Sequence, residues 1–361
     1  MKTSAQITVT QFFIMLLLCR TYSFFTAVPG FTEPAAGSQA LISLLLCALL
    51  SLAAMLPAWL VLRRSGGGVL QLAYSRSQAA GWAASTLFGL AALFGAAECA
   101  VQYDFFITGA IYPDERNIIF ILLFTLCALY MAYMGLEAVA RLSAPLLVLL
   151  LASLFCIILS LSQDFDPLGM APPDLSDFSG LLRSSYTSFA GTGELMLILL
   201  FLPRLKGNAV HGFLGWLIGV TALLALVIAT ALYTIQDYAA TQAYPFYAIA
   251  KTALLFGFQR MDALHMVIWT MIGLIKLSLY LYICRQCLQN LCGPRVQRWL
   301  LPGAGAAVIL LGLIFSFYLQ LFRSACRIIF SGIPLLLLIL AVPLLLWLLP
   351  RKKEGSAPVE Q

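Results

Sequence analysis

Residues 184–203 read SSYTSFAGTGELMLILLFLP, an apolar run with Gly191, Thr192 and Gly193 directly before Glu194. A helix needs about 20 apolar residues to cross a bilayer, and this run has that length. Each glycine weakens a helix by about 1 kcal/mol relative to alanine. The run therefore predicts a membrane helix that unwinds halfway across, which lipid tolerates only where the unwound turn is buried or lines a cavity. Close helix packing is the alternative use of these glycines.

The composition of the whole chain is that of an all-α polytopic membrane protein. Of its 361 residues, 62% are hydrophobic and 10% are charged, whereas soluble domains carry about 25% charged residues. Ten segments are long and apolar enough to predict transmembrane helices: 6–29, 38–62, 78–104, 117–135, 142–162, 184–203, 208–234, 262–285, 298–320 and 331–350. The segment 244–258, YPFYAIAKTALLFGF, is shorter and predicts a re-entrant or surface helix.

Lysine and arginine residues are shared unequally between the two sets of loops. If the N-terminus is cytoplasmic, thirteen of the 21 lie on the inner side and six on the outer side, with Arg20 and Lys276 inside spans. This bias predicts that both termini are cytoplasmic. We therefore expect a single transmembrane domain over residues 1–350 and a cytoplasmic tail over 351–361.

Four ionisable residues lie well inside the predicted spans, namely Arg20, Glu98, Glu194 and Lys276, and their charges sum to zero. Because a charge in hydrocarbon is costly unless it is paired or used, Arg20 and Glu194, at similar depth, predict an ion pair. The alternative is that the four residues have no functional role and form static ion pairs that stabilise the helix bundle.

A polar stretch interrupts the first predicted helix at a depth comparable to the break in the sixth, at Arg20-Thr21-Tyr22-Ser23. These two helices are five spans apart, which predicts two five-helix halves, about 5–162 and 184–350. An odd number of spans per half gives an inverted repeat, and breaks in matching positions of such halves indicate a binding site. Half-helix N-termini attract anionic groups and free carbonyls attract cations, so a zwitterion such as an amino acid suits both.

The predicted ligand-binding residues surround these two breaks and extend into the eighth helix: Arg20, Thr21, Ser23, Gly191, Thr192, Gly193, Glu194 and Thr270. Lys276 lies in the same helix as Thr270, where its ammonium can take the place of a coupling sodium ion. Lys276 and Glu98 are thus candidates for ion or proton coupling. We interpret Tyr280 and Tyr282, further along this helix, as packing and interfacial aromatics.

No metal site or cofactor is predicted. Three of the nine cysteines cluster at a helix end, Cys284, Cys287 and Cys292, but the two histidines, His211 and His265, lie elsewhere in the sequence. Motifs for a serine hydrolase, a zinc protease or a P-loop are missing from the sequence, so nothing in it supports an enzyme.

Several segments together resemble the spore germination protein family, the permease-like B subunits of endospore germinant receptors. They are TQFFIMLLLCR (10–20), GLEAVARLSAPLL (135–147), the DFDP loop at 164–167, SFAGTGELMLILLFLP (188–203), YPFYAIAK (244–251) and RMDALHMVIWTMIGLIKLSLYLY (260–282). The resemblance runs from about residue 5 to 350. It implies the ten-helix inverted repeat of the amino acid–polyamine–organocation superfamily.

The resemblance also implies a role and partners. The role is to sense a small nutrient, usually an amino acid, in the spore inner membrane, together with an A-type subunit and a lipoprotein C-type subunit. The family's helix 6 motif falls on Gly193-Glu194, its helix 1 arginine on Arg20, and its helix 8 run on Ile275–Tyr282. Many relatives have Phe-Gly-Glu at the break, where this chain has Gly191-Thr192-Gly193-Glu194 after Ala190, so the ligand does not transfer from them.

Three functions are compatible with the sequence. The first is this nutrient receptor, and the second is a proton-coupled amino acid transporter that uses Lys276 or Glu98. The third is a structural subunit whose cavity is vestigial. Gly193→Leu, which would block the cavity, distinguishes the vestigial subunit from the nutrient receptor. Uptake by vesicles distinguishes the transporter from the receptor.

Overall fold

The structure is a computed structural model that describes residues 7–26, 38–65, 67–111, 118–166, 177–236, 238, 242, 244–253 and 261–350. The predicted tail over 351–361 lies outside the described residues, as do the end of the predicted first span (27–29), residues 167–176, which begin with the last residue of the DFDP loop, and the last third of the predicted 244–258 helix (254–258).

The described chain is almost entirely helical. In order, its elements are β1 (Ile7–Thr8), α1 (Val9–Phe25), α2 (Gln39–Ser65), α3 (Val69–Arg76), α4 (Gln78–Ala110), α5 (Ile118–Met134), α6 (Leu136–Leu161), α7 (Phe178–Ala190), α8 (Glu194–Phe201), β2 (Leu205–Lys206), α9 (Ala209–Thr234), α10 (Pro245–Thr252), α11 (Met261–Leu291), α12 (Leu300–Phe317), α13 (Leu319–Ile329), α14 (Ile333–Leu336) and α15 (Val342–Leu348). Short 3₁₀ turns follow α6, α8 and α11, and a π-helical turn joins α14 to α15.

Each of the ten predicted apolar segments overlaps a helix, which confirms an all-α, multi-pass membrane protein. By length and composition, six described helices are candidate spans: α2, α4, α6, α9, α11 and α12. The count rises to eight if each bent pair is one span, α7 with α8 at 42° and α13 with α14–α15 at 47°. The apolar helices α1 and α5 are shorter, at 17 residues each. Ten spans therefore remain a prediction.

The helices differ in how much of their surface other helices cover. In α4 and α11, 61% and 72% of the apolar window is buried inside the protein, against 28–33% in α2, α6 and α9. The latter expose large apolar side chains such as Leu49, Phe155 and Ile218. All eight residues of α8 are buried. The bundle therefore has α4, α8 and α11 at its centre, and α1 packs against α6, α9 and α11.

A two-residue parallel bridge ties the start of α1 to the end of α8. Ile7 pairs with Leu205 and Thr8 with Lys206. The side chain of Thr8 also caps α1 by accepting a hydrogen bond from the N–H of Gln11 at 3.2 Å. A movement of α8 along its own axis therefore pulls directly on α1.

The structure confirms the break in the sixth predicted helix and contradicts the break in the first. Helix α1 is continuous from Val9 to Phe25 through the polar stretch. The hydroxyls of Thr21 and Ser23 bond back to carbonyls four residues earlier, at Leu17 and Cys19. Side chains of this kind satisfy themselves inside a helix and do not open it. The matched pair of breaks is therefore wrong, and the inverted repeat stays a prediction.

Candidate functional site

The break between α7 and α8 leaves two carbonyl groups without their usual helical donors. The N–H of Thr192 bonds to the carbonyl of Phe189 at 2.9 Å, and the N–H of Leu195 bonds to that of Thr192 at 3.2 Å. In a continuous helix these two N–H groups would bond to the carbonyls of Ser188 and Gly191, four residues earlier. The tightened turn thus frees the acceptors of Ser188 and Gly191 in the membrane core, where unsatisfied groups are costly.

Arg20 donates a hydrogen bond to each of the two freed carbonyls. Its Nη1 donates to the carbonyl oxygen of Gly191 at 2.8 Å and its Nη2 to that of Ser188 at 3.0 Å. The residue is 8% exposed. The planar guanidinium suits two acceptors side by side, and the C-terminal end of a helix favours a cation. Arg20 therefore completes the broken span from a neighbouring helix.

The predicted ion pair between Arg20 and Glu194 is wrong, because the two side chains have different partners. Glu194 is the first residue of α8, where a carboxylate is favoured by the helix dipole. The hydroxyl of Ser23 has a second acceptor besides the carbonyl of Cys19, since Oε1 of Glu194 lies 3.3 Å away, and Lys276 donates to the same hydroxyl oxygen. Ser23 thus joins an acid on α8 to a base on α11.

Glu98 brings a second carboxylate to this group from α4. Its Oε1 accepts from Nε2 of Gln102 at 2.8 Å, and Oε1 of Gln102 accepts from the hydroxyl of Thr26 at 2.9 Å. Lys276 lies in the same buried region as Glu98 and Glu194, without a direct ion pair to either acid among the described residues. The buried polar network therefore has two acids around one lysine and extends along α4 to the end of α1.

Aromatic rings border the ammonium group of Lys276 on two sides. Its Nζ lies 5.6 Å from the ring centre of Tyr22 and 5.9 Å from that of Tyr280, within the range of cation–π attraction. The hydroxyl of Tyr280 would lie 3.0 Å from a Cβ added at Gly193. The interpretation of Tyr280 as packing alone therefore missed its position between the break and Lys276.

A stacked aromatic cluster continues from Tyr22 away from the break. Trp269 stacks on Tyr22 at 5.1 Å and on Tyr103 at 5.4 Å, and Tyr103 stacks on Phe124 at 4.0 Å. Thr270 directly follows Trp269 in α11. Its position is therefore beside this aromatic cluster, six residues before Lys276.

The remaining predicted site residues lie at the break but differ in what they touch. Thr192 is buried, and its hydroxyl donates to the carbonyl of Ser188 at 3.1 Å, so it supports the same acceptor as Arg20. Thr21 is buried and its hydroxyl is used within α1. Gly191 and Gly193 have φ of −76° and −59°. Neither glycine therefore has a left-handed backbone. Close packing limits side-chain size at residue 193, where an added Cβ would lie 3.0 Å from the hydroxyl of Tyr280, but not at residue 191.

Two buried polar atoms of this region have no protein partner. They are Oε2 of Glu194 and Nε1 of Trp269. Both residues are 1% exposed. Orphaned buried polar atoms are uncommon, and a carboxylate oxygen in this position suits a donor group from a bound molecule.

A buried carboxylate that sequence reasoning missed lies on the far side of α4. The predicted third span stops at residue 104, but α4 continues to Ala110 and buries Asp104 at 4% exposure. Its Oδ2 accepts from the hydroxyl of Ser316 on α12 at 2.7 Å. The apolar run Phe105, Phe106 and Ile107 directly after Asp104 was the available signal.

Over residues 6–320 the chain matches the spore germination protein family. It belongs to that family. No curated protein matches the chain. The spore germination protein family is permease- and receptor-like, and it is not a known enzyme family. Within the described ranges, no three His, Cys, Asp or Glu side chains are grouped so as to hold a metal ion.

Among the residues that the family resemblance assigned to the site, the structure brings Arg20 and the Gly193-Glu194 pair to one break, along with Lys276 of the helix 8 run. The arrangement can satisfy opposite charges on a small molecule. Backbone carbonyls and Glu194 are acceptors for an ammonium, while Arg20 and Lys276 are cations for an anionic group.

Proposed function

We propose that this chain is the membrane subunit of a spore germinant receptor and that it binds a small nutrient, such as an amino acid, at the break between α7 and α8. The observation that carries the proposal is the pair of carbonyls freed at Ser188 and Gly191, beside Arg20 and Glu194. Family membership supports the germination role.

Binding would act through a change of partners at the break. An ammonium group competes with Arg20 for the freed carbonyls, and a carboxylate attracts the released guanidinium. The break would then have two arrangements, one with Arg20 on the carbonyls and one with Arg20 released. Only a ligand that binds the second more tightly than the first shifts the equilibrium between them. Because the β1–β2 bridge ties α8 to α1, the rearrangement moves both helices together.

The signal would then pass to partner subunits. We propose an A-type subunit and a lipoprotein C-type subunit as these partners, in the spore inner membrane, with both termini of this chain cytoplasmic. Adjacent reading frames that encode a large A-type subunit and a lipoprotein would support the assembly, and co-purification of the three subunits would test it.

Thermal stabilisation of the purified full chain by a panel of amino acids and sugars tests the binding site. We expect at least one of these nutrients to raise the Tm of the wild type and not that of Gly193→Leu. Stabilisation of both proteins to the same extent would place the ligand elsewhere, and stabilisation of neither by any nutrient in the panel would argue for the vestigial subunit.

A proton-coupled amino acid transporter is the second candidate. The burial of Lys276 in the same region as Glu98 and Glu194 favours it, because a buried base with two acids can exchange protons as the helices move. Uptake of labelled amino acid into vesicles under a proton gradient distinguishes the two. Uptake that depends on the proton gradient supports the transporter, whereas binding without uptake supports the receptor.

A further inference from the structure

A lateral groove lies between the first turns of α1 and α9. Its volume is about 510 Å³. The rim at the helix starts is polar and includes Thr8, Lys206 and His211, and the floor further along is apolar and includes Phe13, Ile14 and Leu17. We call these residues the α1–α9 groove.

Glycine residues of α9 shape the groove. A Cβ at Gly212 would meet the side chains of Val9 at 2.2 Å and Phe13 at 2.5 Å, so Gly212 lets α1 approach closely. A Cβ at Gly215, less than one turn further, would meet nothing within 4 Å. The two helices are therefore in contact at one level and separated at the next, which leaves space beside Gly215.

The face of α9 next to the groove is apolar and exposed, as a lipid-facing surface would be. Val210, Leu214 and Ile218 form a stripe at four-residue spacing on α9, and all three are exposed in this highly apolar chain. From Thr8 to Leu17, α1 rises about 14 Å at 1.5 Å per residue. That is close to half of a hydrocarbon core about 30 Å thick. The groove thus has the length of one acyl chain in one leaflet.

The rim carries positive charge without an acidic neighbour. Lys206 is exposed and forms no ion pair with any described carboxylate. The remaining polar residues that line the groove, Thr8, Thr10, Asn208 and His211, include no acid. A basic rim above an apolar floor complements an anionic headgroup that carries an acyl chain.

We propose that the α1–α9 groove binds an anionic phospholipid. Its phosphate contacts Lys206, and one acyl chain lies along Phe13, Ile14 and Leu17. Because Lys206 belongs to β2 and pairs with Thr8 of β1, the bound lipid holds the two strands together. It thereby stabilises the link between α8 and α1.

The purified full chain is exchanged into nanodiscs of phosphatidylglycerol or of phosphatidylcholine. Two quantities are measured in each: the amount of lipid that the protein retains, and its Tm. The wild type retains phosphatidylglycerol in preference and has the higher Tm there. Lys206→Gln lowers this preference about fivefold. Gly215→Leu places its Cβ where nothing lies within 4 Å, and we expect its side chain to occupy the groove and abolish retention of either lipid.

Two matched controls distinguish the groove from general effects on charge and packing. Arg295→Gln removes an exposed positive charge elsewhere, and Gly303→Leu adds the same side chain on α12 at a glycine that also has nothing within 4 Å. Both leave retention at the wild-type level. Retention unchanged in Lys206→Gln and Gly215→Leu would overturn the proposal.

Three further results would also overturn it, each for a different reason. Equal retention of the two lipids would show that the headgroup is not recognised. A rise in Tm with inorganic phosphate as large as that with phosphatidylglycerol would indicate a site for small anions. Loss of A-type subunit binding in Gly215→Leu, with lipid retention intact, would identify the groove as a protein interface.

Discussion

The guanidinium of Arg20 donates to the carbonyl oxygen of Gly191, 2.8 Å away and 171 residues later in the chain. The second acceptor, the carbonyl of Ser188, lies one turn earlier. These are the two carbonyls that the tightened turn after α7 deprives of their helical donors. The charged side chain of Arg20 on α1 thus supplies the hydrogen-bond donors that the break between α7 and α8 leaves missing.

Arg20→Gln is expected to destabilise the protein by about 3 kcal/mol, because each hydrogen bond to a charged group contributes about 1.5–3 kcal/mol and part is recovered by the amide. Arg20→Lys keeps the charge but loses the planar pair of N–H donors, so its stability is expected to lie between that of Arg20→Gln and that of the wild type. Chemical unfolding in detergent measures both. Arg327→Gln on the exposed side of α13 is the control; equal stability of Arg20→Gln and this control would contradict the assignment.

The double charge swap Arg20→Glu with Glu194→Arg is expected to give no rescue. Each single change is destabilising, but the two residues do not contact each other, so their coupling energy is below about 0.5 kcal/mol. A double-mutant cycle on unfolding free energies measures this coupling. Recovery of stability in the double variant would restore the direct ion pair that the sequence suggests.

The sequence identifies the break in the sixth span but not the partners of its charges. Two glycines around Thr192 weaken the helix locally, and local signals of this kind are visible in sequence. The partner of Arg20 is a backbone carbonyl, which a count of charged side chains does not reveal. The polar stretch around Ser23 leaves α1 intact because its hydroxyls bond within the helix, and Asp104 was missed because the predicted span ended there.

Ser23→Ala is expected to destabilise the protein by about 1–3 kcal/mol, because it removes the hydroxyl between Lys276 and Glu194 and leaves buried charged groups without a partner. Thr21→Val is the matched control, since its hydroxyl serves only its own helix. Thermal unfolding of the two variants side by side checks the difference. A loss as large in Thr21→Val as in Ser23→Ala would show that Ser23 has no special bridging role.

Gly191→Ala and Gly193→Leu are expected to differ sharply. A Cβ at residue 191 makes ordinary contacts, 3.6 Å at closest, whereas at residue 193 it is already 3.0 Å from the hydroxyl of Tyr280. A leucine there pushes into the space between Tyr280 and Glu194. We expect Gly191→Ala to keep germinant response and assembly, and Gly193→Leu to assemble but lose the response. A normal response in Gly193→Leu, measured in spores, would remove the break from the site.

Lys276→Met leaves Glu98 and Glu194 buried without their shared countercharge. Losing one partner of a buried charge group costs about 3–5 kcal/mol, so the variant is expected to be markedly less stable than the wild type at pH 8. Protonation of Glu98 removes a buried charge, so acidic solution offsets part of this loss. The stability of the variant relative to wild type should therefore rise as the pH falls from 8 to 5.

Unfolding of Lys276→Met and wild type across this pH range measures that trend. The triple variant Lys276→Met with Glu98→Gln and Glu194→Gln is the informative control, because it carries no acid in the group. Its stability relative to wild type should change less with pH than that of Lys276→Met alone. A pH trend of equal size in both variants would mean that the trend does not arise from Glu98 and Glu194, and the proposed three-residue network would then be wrong.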